Sequence, residues 1–455
     1  MKFSGAGNDR APLSKHHHMS IRWDEFVGDN ADELAVNASL TERTAIVGRI
    51  GILFLSLGTG SWRVRDSMNT VARVLGLTCS ADVGLLSLSY TCFELDQSCS
   101  QTLELPTTGV NTAKLAAAES YIDFFQKYGQ QWTVGQIHHS LDDIFSKPNT
   151  YSTLVLTFAA ALACGSFTFL LGGGAVESLC AFIGAGSGNY IRQQMSKHHI
   201  TMLAAIAVSV ATACLMYFVC FTALRMLVGV NSFHEAGYIG AMLFVIPGFP
   251  FITSILDMAK LDMRSGLERL CYALLIIIIA TTIGWMTAMV LKFHPANFVR
   301  PNIQPVLYLF LRLIASFCGV FGFSLMFNST RRMAIIAGCI GAIANTMRLE
   351  MIDFTNLPPA AAAFAGALLA GLLASIIRTK TRLPRISITV PATVIMVPGL
   401  YFYRAVFRLG NASSTLGVYW LTQAAMIFIA LPLGLITARI LTDPKWRYNN
   451  WQYGK

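Results

Sequence analysis

Phe244-Val245-Ile246-Pro247-Gly248-Phe249 and Ile395-Met396-Val397-Pro398-Gly399-Leu400 are two versions of one hexapeptide, about 150 residues apart and each inside an apolar run. Proline removes a backbone donor and frees a carbonyl, and glycine lets the chain turn. In hydrocarbon such loose polar groups are tolerated only beside protein or a water-filled cavity. One Pro-Gly pair in an apolar helix more often shapes packing than serves function. Two at matching positions point to a chain built twice, with a pathway where the breaks meet.

Other fragments repeat at nearly the same offset: Phe167-Thr168-Phe169 against Phe321-Gly322-Phe323, and Phe182-Ile183-Gly184 against Ile336-Ala337-Gly338. Around them lie about ten apolar segments, each near the ~20 residues that span a bilayer. The first set covers residues 154–171, 175–192, 201–224, 238–256 and 270–291; the second covers 305–327, 332–351, 359–377, 386–405 and 417–441. Five is odd, so the second set enters the membrane the other way round, as an inverted-topology repeat. Charge placement agrees with this count. Arg192, Lys197, Lys260, Arg264, Arg269, Arg331, Arg332, Arg378, Lys380, Arg382, Arg385, Lys445 and Arg447 fall on one side, which the positive-inside rule makes cytosolic for both termini. Lys292, Arg300, Arg404 and Arg408 are the exceptions on the other side.

The first 149 residues are different in kind: mixed, charged and polar. Helices are expected at 41–57, 62–75, 110–128 and 134–145, with a strand pair over 77–93 and a further strand over 94–105. The expected fold class is therefore a membrane all-α protein of about ten transmembrane helices in two inverted five-helix repeats, with an N-terminal α+β cytosolic domain. Its divisions are a disordered tail 1–40, the cytosolic domain 41–149, the repeats 150–292 and 303–441, and a cytosolic tail 442–455. No apolar signal segment opens the chain.

Composition sets the class independently. The chain is 54% hydrophobic and 13% charged, against roughly a quarter charged in an ordinary soluble domain. Its net charge of +10 sits in short clusters between apolar runs, which argues for a membrane surface and against nucleic acid. Seven of the ten cysteines lie in the apolar part as small packing residues. Cys79, Cys92 and Cys99 show no CxxC spacing and read as free thiols. His138-His139 and His198-His199 are neighbours that do not share a helix face, so surface positions are expected rather than metal sites. Gly172-Gly173-Gly174 lacks the Lys-Ser/Thr of a P-loop, and residues 41–147 show no nucleophile–base arrangement. Neither cofactor, metal nor enzymatic activity is implied.

The residues also resemble a known family. Gly58-Thr59-Gly60-Ser61-Trp62-Arg63-Val64-Arg65 followed by Leu75-Gly76, Leu171-Gly172-Gly173-Gly174, Ile246-Pro247-Gly248, Asp257 with Ser265-Gly266, and Met396-Val397-Pro398-Gly399 with Tyr403-Arg404 are together similar to the threonine/serine exporter family over residues 41–441. The resemblance implies a proton-motive-force-driven exporter of L-threonine and L-serine with five spans per half. Related bacterial systems split the halves into two subunits and are associated with succinate export.

Export of an amino acid needs groups for an ammonium and a carboxylate, and a titratable group if protons drive it. The candidates for binding the solute are the breaks themselves (Pro247, Gly248, Pro398, Gly399), the repeat-related Asn189 and Asn345, and Tyr403 with Arg404. Asp257 and Glu177 are the candidates for proton coupling. Each has a plainer reading: Asp257 as a helix-end carboxylate, Glu177 as an acid favoured in a first helical turn, the asparagines as interhelical glue, Arg404 as a snorkelling cation. Arg312 reads as snorkelling too. The expected function is a secondary transporter of threonine and serine in the cytoplasmic (inner) membrane, working with protons as partners and lipid as solvent; a homo-oligomer is left open. A small dicarboxylate such as succinate is the alternative solute, and a passive channel the alternative mechanism.

Overall fold

The computed structural model describes residues 21, 23, 31–229, 236–293, 298, 302–381 and 383–448. Most of the expected N-terminal tail, Arg300, Arg382 and the residues after 448 lie outside them.

The N-terminal domain forms around one buried helix. α1 (Leu40–Ser56) starts at a capping box in which Ser39 and Glu42 satisfy each other's backbone amides, and Ile46, Ile50, Leu53 and Phe54 are buried. Against it pack α2 (Ser61–Val74) and an antiparallel meander of β1 (Thr78–Val83), β2 (Ser87–Glu94) and β3 (Gln97–Glu104) in the order β1-β2-β3. Alternation along β2 puts Leu88, Tyr90 and Cys92 inward, and the Tyr90 hydroxyl donates to the Thr44 carbonyl at 3.0 Å. Cys79, Cys92 and Cys99 stand side by side across the three strands. α3 (Thr112–Tyr128) and α4 (Val134–Ser146) complete the layer. Packing begins before residue 41: Ala35 and Ala38 are buried, and the Ala35 amide donates to Trp132 O at 2.9 Å.

Two side chains depart from their expected settings. His138 is 3% exposed, held at 2.7 Å from Arg49 inside the domain, because α4 turns that side of the pair toward α1; His139 stays at the surface. Arg312 does not snorkel. It is 3% exposed and forms ion pairs with Glu350 at 2.8 Å and Asp353 at 2.6 Å, partners one helix away that the sequence places 38 and 41 residues later.

The remaining chain is helical: α5 (Thr153–Leu170), α6 (Ala175–Lys197), α7 (Met202–Val228), the short α8 (Tyr238–Ala241), α9 (Gly248–Met258), α10 (Met263–Val290), α11 (Pro305–Met326), α12 (Arg331–Thr355), α13 (Pro359–Thr381), α14 (Arg385–Val394), α15 (Gly399–Gly410), α16 (Ser414–Thr442) and the terminal turn α17 (Pro444–Arg447). Among the described residues seven of these are long and apolar enough to cross a membrane, and up to nine spans result if each of two bent pairs counts as one. The tenth expected span, α6, has the length but carries Glu177, Asn189, Arg192, Gln193, Gln194 and Lys197, too polar a set for that standard. It packs between α5 and α7.

Candidate functional site

Both Pro-Gly stretches fold in the same way. After α8 and a single 3₁₀ turn (Leu243–Val245), Pro247 adopts φ −81°, ψ 61°, and the Gly248 amide donates to Ile246 O at 2.8 Å. At the second stretch Pro398 adopts φ −79°, ψ 46°, and the Gly399 amide donates to Val397 O at 2.9 Å. Each is close to an inverse γ-turn, and each restarts a helix with a donation to the proline carbonyl at 3.1 Å, from Phe251 and from Phe402. The half-helices meet at 56° in the first case and 46° in the second.

The breaks also pack on each other. A Cβ added at Gly248 would lie 2.3 Å from Val394 Cγ2, just before the second break, and one added at Gly399 would lie 2.0 Å from Ile246 Cδ1, just before the first. Both glycines are needed for this approach, since the partner side chain occupies the space. Tyr403, the third expected group near the break, is fully buried, and its hydroxyl is hydrogen-bonded to that of Tyr238 on α8.

A cavity of about 400 Å³ lies between the first break and the loops of the N-terminal domain. Pro247 and Ile246 line it on one side, Gly58, Thr108 and Gly109 on another, and its polar side chains include Asn189, Arg192, Gln193, Ser196, Arg269 and Tyr272. Asn189 is 1% exposed; its Nδ2 donates to Leu156 O at 3.0 Å, while Oδ1 has no partner. A buried amide oxygen left unpaired costs about 1–3 kcal/mol, so this atom is either a liability or a ligand group.

At the domain-bearing end of α9, Asp257 is fully buried. It accepts from the Ser61 amide at 3.0 Å and the Ser265 hydroxyl at 3.1 Å, and pairs with Arg269 at 3.2 Å. Arg269 in turn donates to Thr59 O at 2.7 Å and Gly58 O at 3.3 Å. Ser61 Oγ donates to Asp262 at 2.7 Å, and Asp262 is ion-paired with Arg65. The segment Gly58–Arg65, the break after α1 and the first turn of α2, is thus held to α9, α10 and the turn between them through the side chains of Ser61, Arg65, Asp257, Asp262 and Arg269 and through its own backbone.

The other expected residues take plainer places. Glu177 caps α6, its Oε2 accepting from the Gly174 amide at 2.9 Å. Asn345 donates to Ser316 Oγ at 2.9 Å and accepts from Arg348 Nε at 2.9 Å. Arg404 lies over the Trp420 ring at 4.7 Å and does not line the cavity. Arg192, Arg269 and Tyr238 were not among the expected site residues. The two arginines read in sequence as cytosolic-loop charges; the available signal was the recurrence of Asn189-x-x-Arg192 as Asn345-x-x-Arg348.

A bundle of helices long and apolar enough to cross a membrane, broken twice at Pro-Gly turns that pack on each other, with the first turn beside a polar cavity, is the architecture expected of a multi-pass membrane transporter. The chain belongs to the threonine/serine exporter family: residues 45–292 match the family described as "Putative threonine/serine exporter", and residues 312–441 match "Threonine/Serine exporter, ThrE". A relative from Mycobacterium tuberculosis (strain ATCC 25618 / H37Rv), "Probable threonine/serine exporter", is 21% identical over 419 residues, 87% of this chain and 75% of its own. One from Escherichia coli (strain K12), "Probable succinate transporter subunit YjjP", is 24% identical over 264 residues, 55% of this chain and 96% of that protein. No solved structure matches the chain.

Proposed function

We propose that the protein exports small polar amino acids, L-threonine and L-serine, across the cytoplasmic membrane by alternating access coupled to protons. The observation that carries this reading is the cavity beside Pro247: it is about 400 Å³, at the small end of the roughly 300–1,000 Å³ of ligand pockets, and its polar wall suits a zwitterion. The domain-bearing end is taken as cytosolic, because the basic loops cluster there. The cavity then faces inward. On this reading α6 is the tenth span, since it must return the chain from the end of α5 to the start of α7, and residues 150–292 and 303–441 are the two inverted repeats. Two turns of matching geometry, each packed on the residues preceding the other, are what such a repeat would leave at its centre.

Asp257 is the proton-accepting group of this scheme. A proton there neutralises the partner of Arg269 and weakens the hold on Gly58–Arg65, so that proton uptake and movement of the N-terminal domain over the vestibule are one event. Glu177, occupied as a helix cap, is set aside. A small dicarboxylate remains a second reading, favoured by Arg192, a cavity cation with no ion pair among the described residues, in a described lining that contains neither Asp nor Glu, and by the name of the Escherichia coli relative.

Purified protein in proteoliposomes with an imposed pH gradient tests the scheme. Saturable flux of threonine or serine that collapses with the gradient is expected. Succinate flux alone would transfer the assignment to dicarboxylates; flux that neither saturates nor follows the gradient would make the protein a channel.

A further inference from the structure

The sequence Asn-x-x-Arg occurs once in each half, on α6 (Asn189, Arg192) and on α12 (Asn345, Arg348). Three residues apart on a helix, the two side chains share a face. On α12 the pair is closed upon itself: Arg348 Nε donates to Asn345 Oδ1 at 2.9 Å, and the amide is spent on Ser316. On α6 it is open. Asn189 Oδ1 is buried without a partner, and Arg192 lines the cavity with no ion pair among the described residues. The other cavity arginine, Arg269, is already neutralised by Asp257.

An arginine in a partly enclosed polar cavity, with no carboxylate of its own, is complementary to an external one. Guanidinium offers a planar fork that binds a carboxylate bidentately, and the low local dielectric strengthens the pair. Beside it, one turn away, an acceptor-only oxygen fits an ammonium hydrogen. We propose that Arg192 is the group that binds the substrate's carboxylate in the inward-facing cavity, with Asn189 Oδ1 reading the amino group, and that Arg348 takes the carboxylate when the opposite side opens. This rests on the exporter reading above for the direction of movement, but the binding site itself does not require it. Amino acids and dicarboxylates share the carboxylate and differ at the second group, where Asn189 favours the former.

Thermal stabilisation of the purified full-length protein by L-serine, L-serinamide and succinate separates these elements. Serine is expected to stabilise and serinamide, which lacks the carboxylate, not to. Arg192→Gln should raise the half-saturating serine concentration by at least about tenfold, as loss of a charge-assisted bond implies, with Arg192→Lys intermediate. Asn189→Leu should weaken serine binding while leaving succinate binding unchanged. Arg348→Gln should keep stabilisation by serine yet lose flux in proteoliposomes. If Arg192→Gln fails to fold, the serine–serinamide comparison on the unaltered protein and the Arg192→Lys titration carry the test. Equal stabilisation by serine and serinamide, unaltered binding in Arg192→Gln, or no stabilisation by either carboxylate would each overturn the assignment. Binding that depends on Arg192 without any flux would instead sink the transport reading and leave the site standing.

Discussion

The backbone amide of Ser61 donates to the carboxylate of Asp257 at 3.0 Å across 196 residues of sequence, and Gly60 beside it has no room for a Cβ, which would fall 2.6 Å from the same carboxylate. The N-terminal domain and the membrane bundle are therefore joined at a charge that is itself buried with Arg269. Removing one member of such a pair leaves the other buried and uncompensated, at about 3–5 kcal/mol. Asp257→Ala is expected to lower the melting temperature of the purified protein strongly. Asp257→Asn, which still accepts from Ser61, should cost less, and Asp257→Ala with Arg269→Met should cost less than Asp257→Ala alone. Additive losses in that cycle would mean that the pair is not coupled.

The glycines of the two breaks make a reciprocal prediction. Gly248→Ala pushes on Val394 Cγ2, held on a β-branched side chain with little freedom, whereas Gly399→Ala pushes on the mobile end of Ile246. Overpacking costs typically about 1–3 kcal/mol. Gly248→Ala should be the more damaging, measured by thermal unfolding and by flux. Val394→Ala should rescue it, and Ile246→Val should rescue Gly399→Ala. If the rescues were exchanged, or neither worked, the breaks would not be packed as described.

Much of this was readable in the chain, because the signals are local. Apolar length located the long helices, and Pro247-Gly248 and Pro398-Gly399 located the two bends. The strand signals over 77–93 and 94–105 located the three-stranded sheet, and the family resemblance stands. What could not be read was pairing between distant residues. Asp257 and Ser61 were each noticed, but nothing in periodicity joins positions that far apart. Arg192 and Arg269 were absorbed into the count of basic loop charges, since charge placement says which end a residue lies at and nothing of what it faces. His138 and Arg312 were misread for the same reason: a partner on another helix can bury a polar group that local pattern leaves at the surface.

His138 gives a pH dependence. Burial, then the neighbouring Arg49 guanidinium, push its imidazole down to about 4, with Asp142 opposing. Nδ1 faces an Arg49 donor at 2.7 Å, so the neutral ring is the form that fits. Above about pH 6.5 the ring is neutral in both folded and unfolded chains, and its contribution is complete. As pH falls toward 4 the unfolded chain takes up a proton that the folded domain resists, and stability declines by roughly 3 kcal/mol over that window. Thermal unfolding at pH 7.5 and pH 5 should show a larger drop for the unaltered protein than for His138→Gln. Equal drops would place the acid sensitivity elsewhere.

Tyr238 and Tyr403 supply the last test, because their hydroxyls join the half-helix before the first break to the half-helix after the second. Both rings are fully buried and meet edge to face with centroids 5.6 Å apart, so Tyr403→Phe keeps the packing and deletes the hydrogen bond. A net intramolecular hydrogen bond is worth about 0.5–1.5 kcal/mol. If the two breaks move relative to each other during transport, this bond belongs to one state of the cycle, and losing it shifts the population toward the other by up to about tenfold. Tyr403→Phe should therefore change the initial rate of flux by a factor of two to ten, on the order set by that energy, while lowering the melting temperature only slightly. Because one bond is shared, Tyr238→Phe combined with Tyr403→Phe should do little more than Tyr238→Phe alone. Fully additive effects would show that the hydroxyls do not hold the two breaks together.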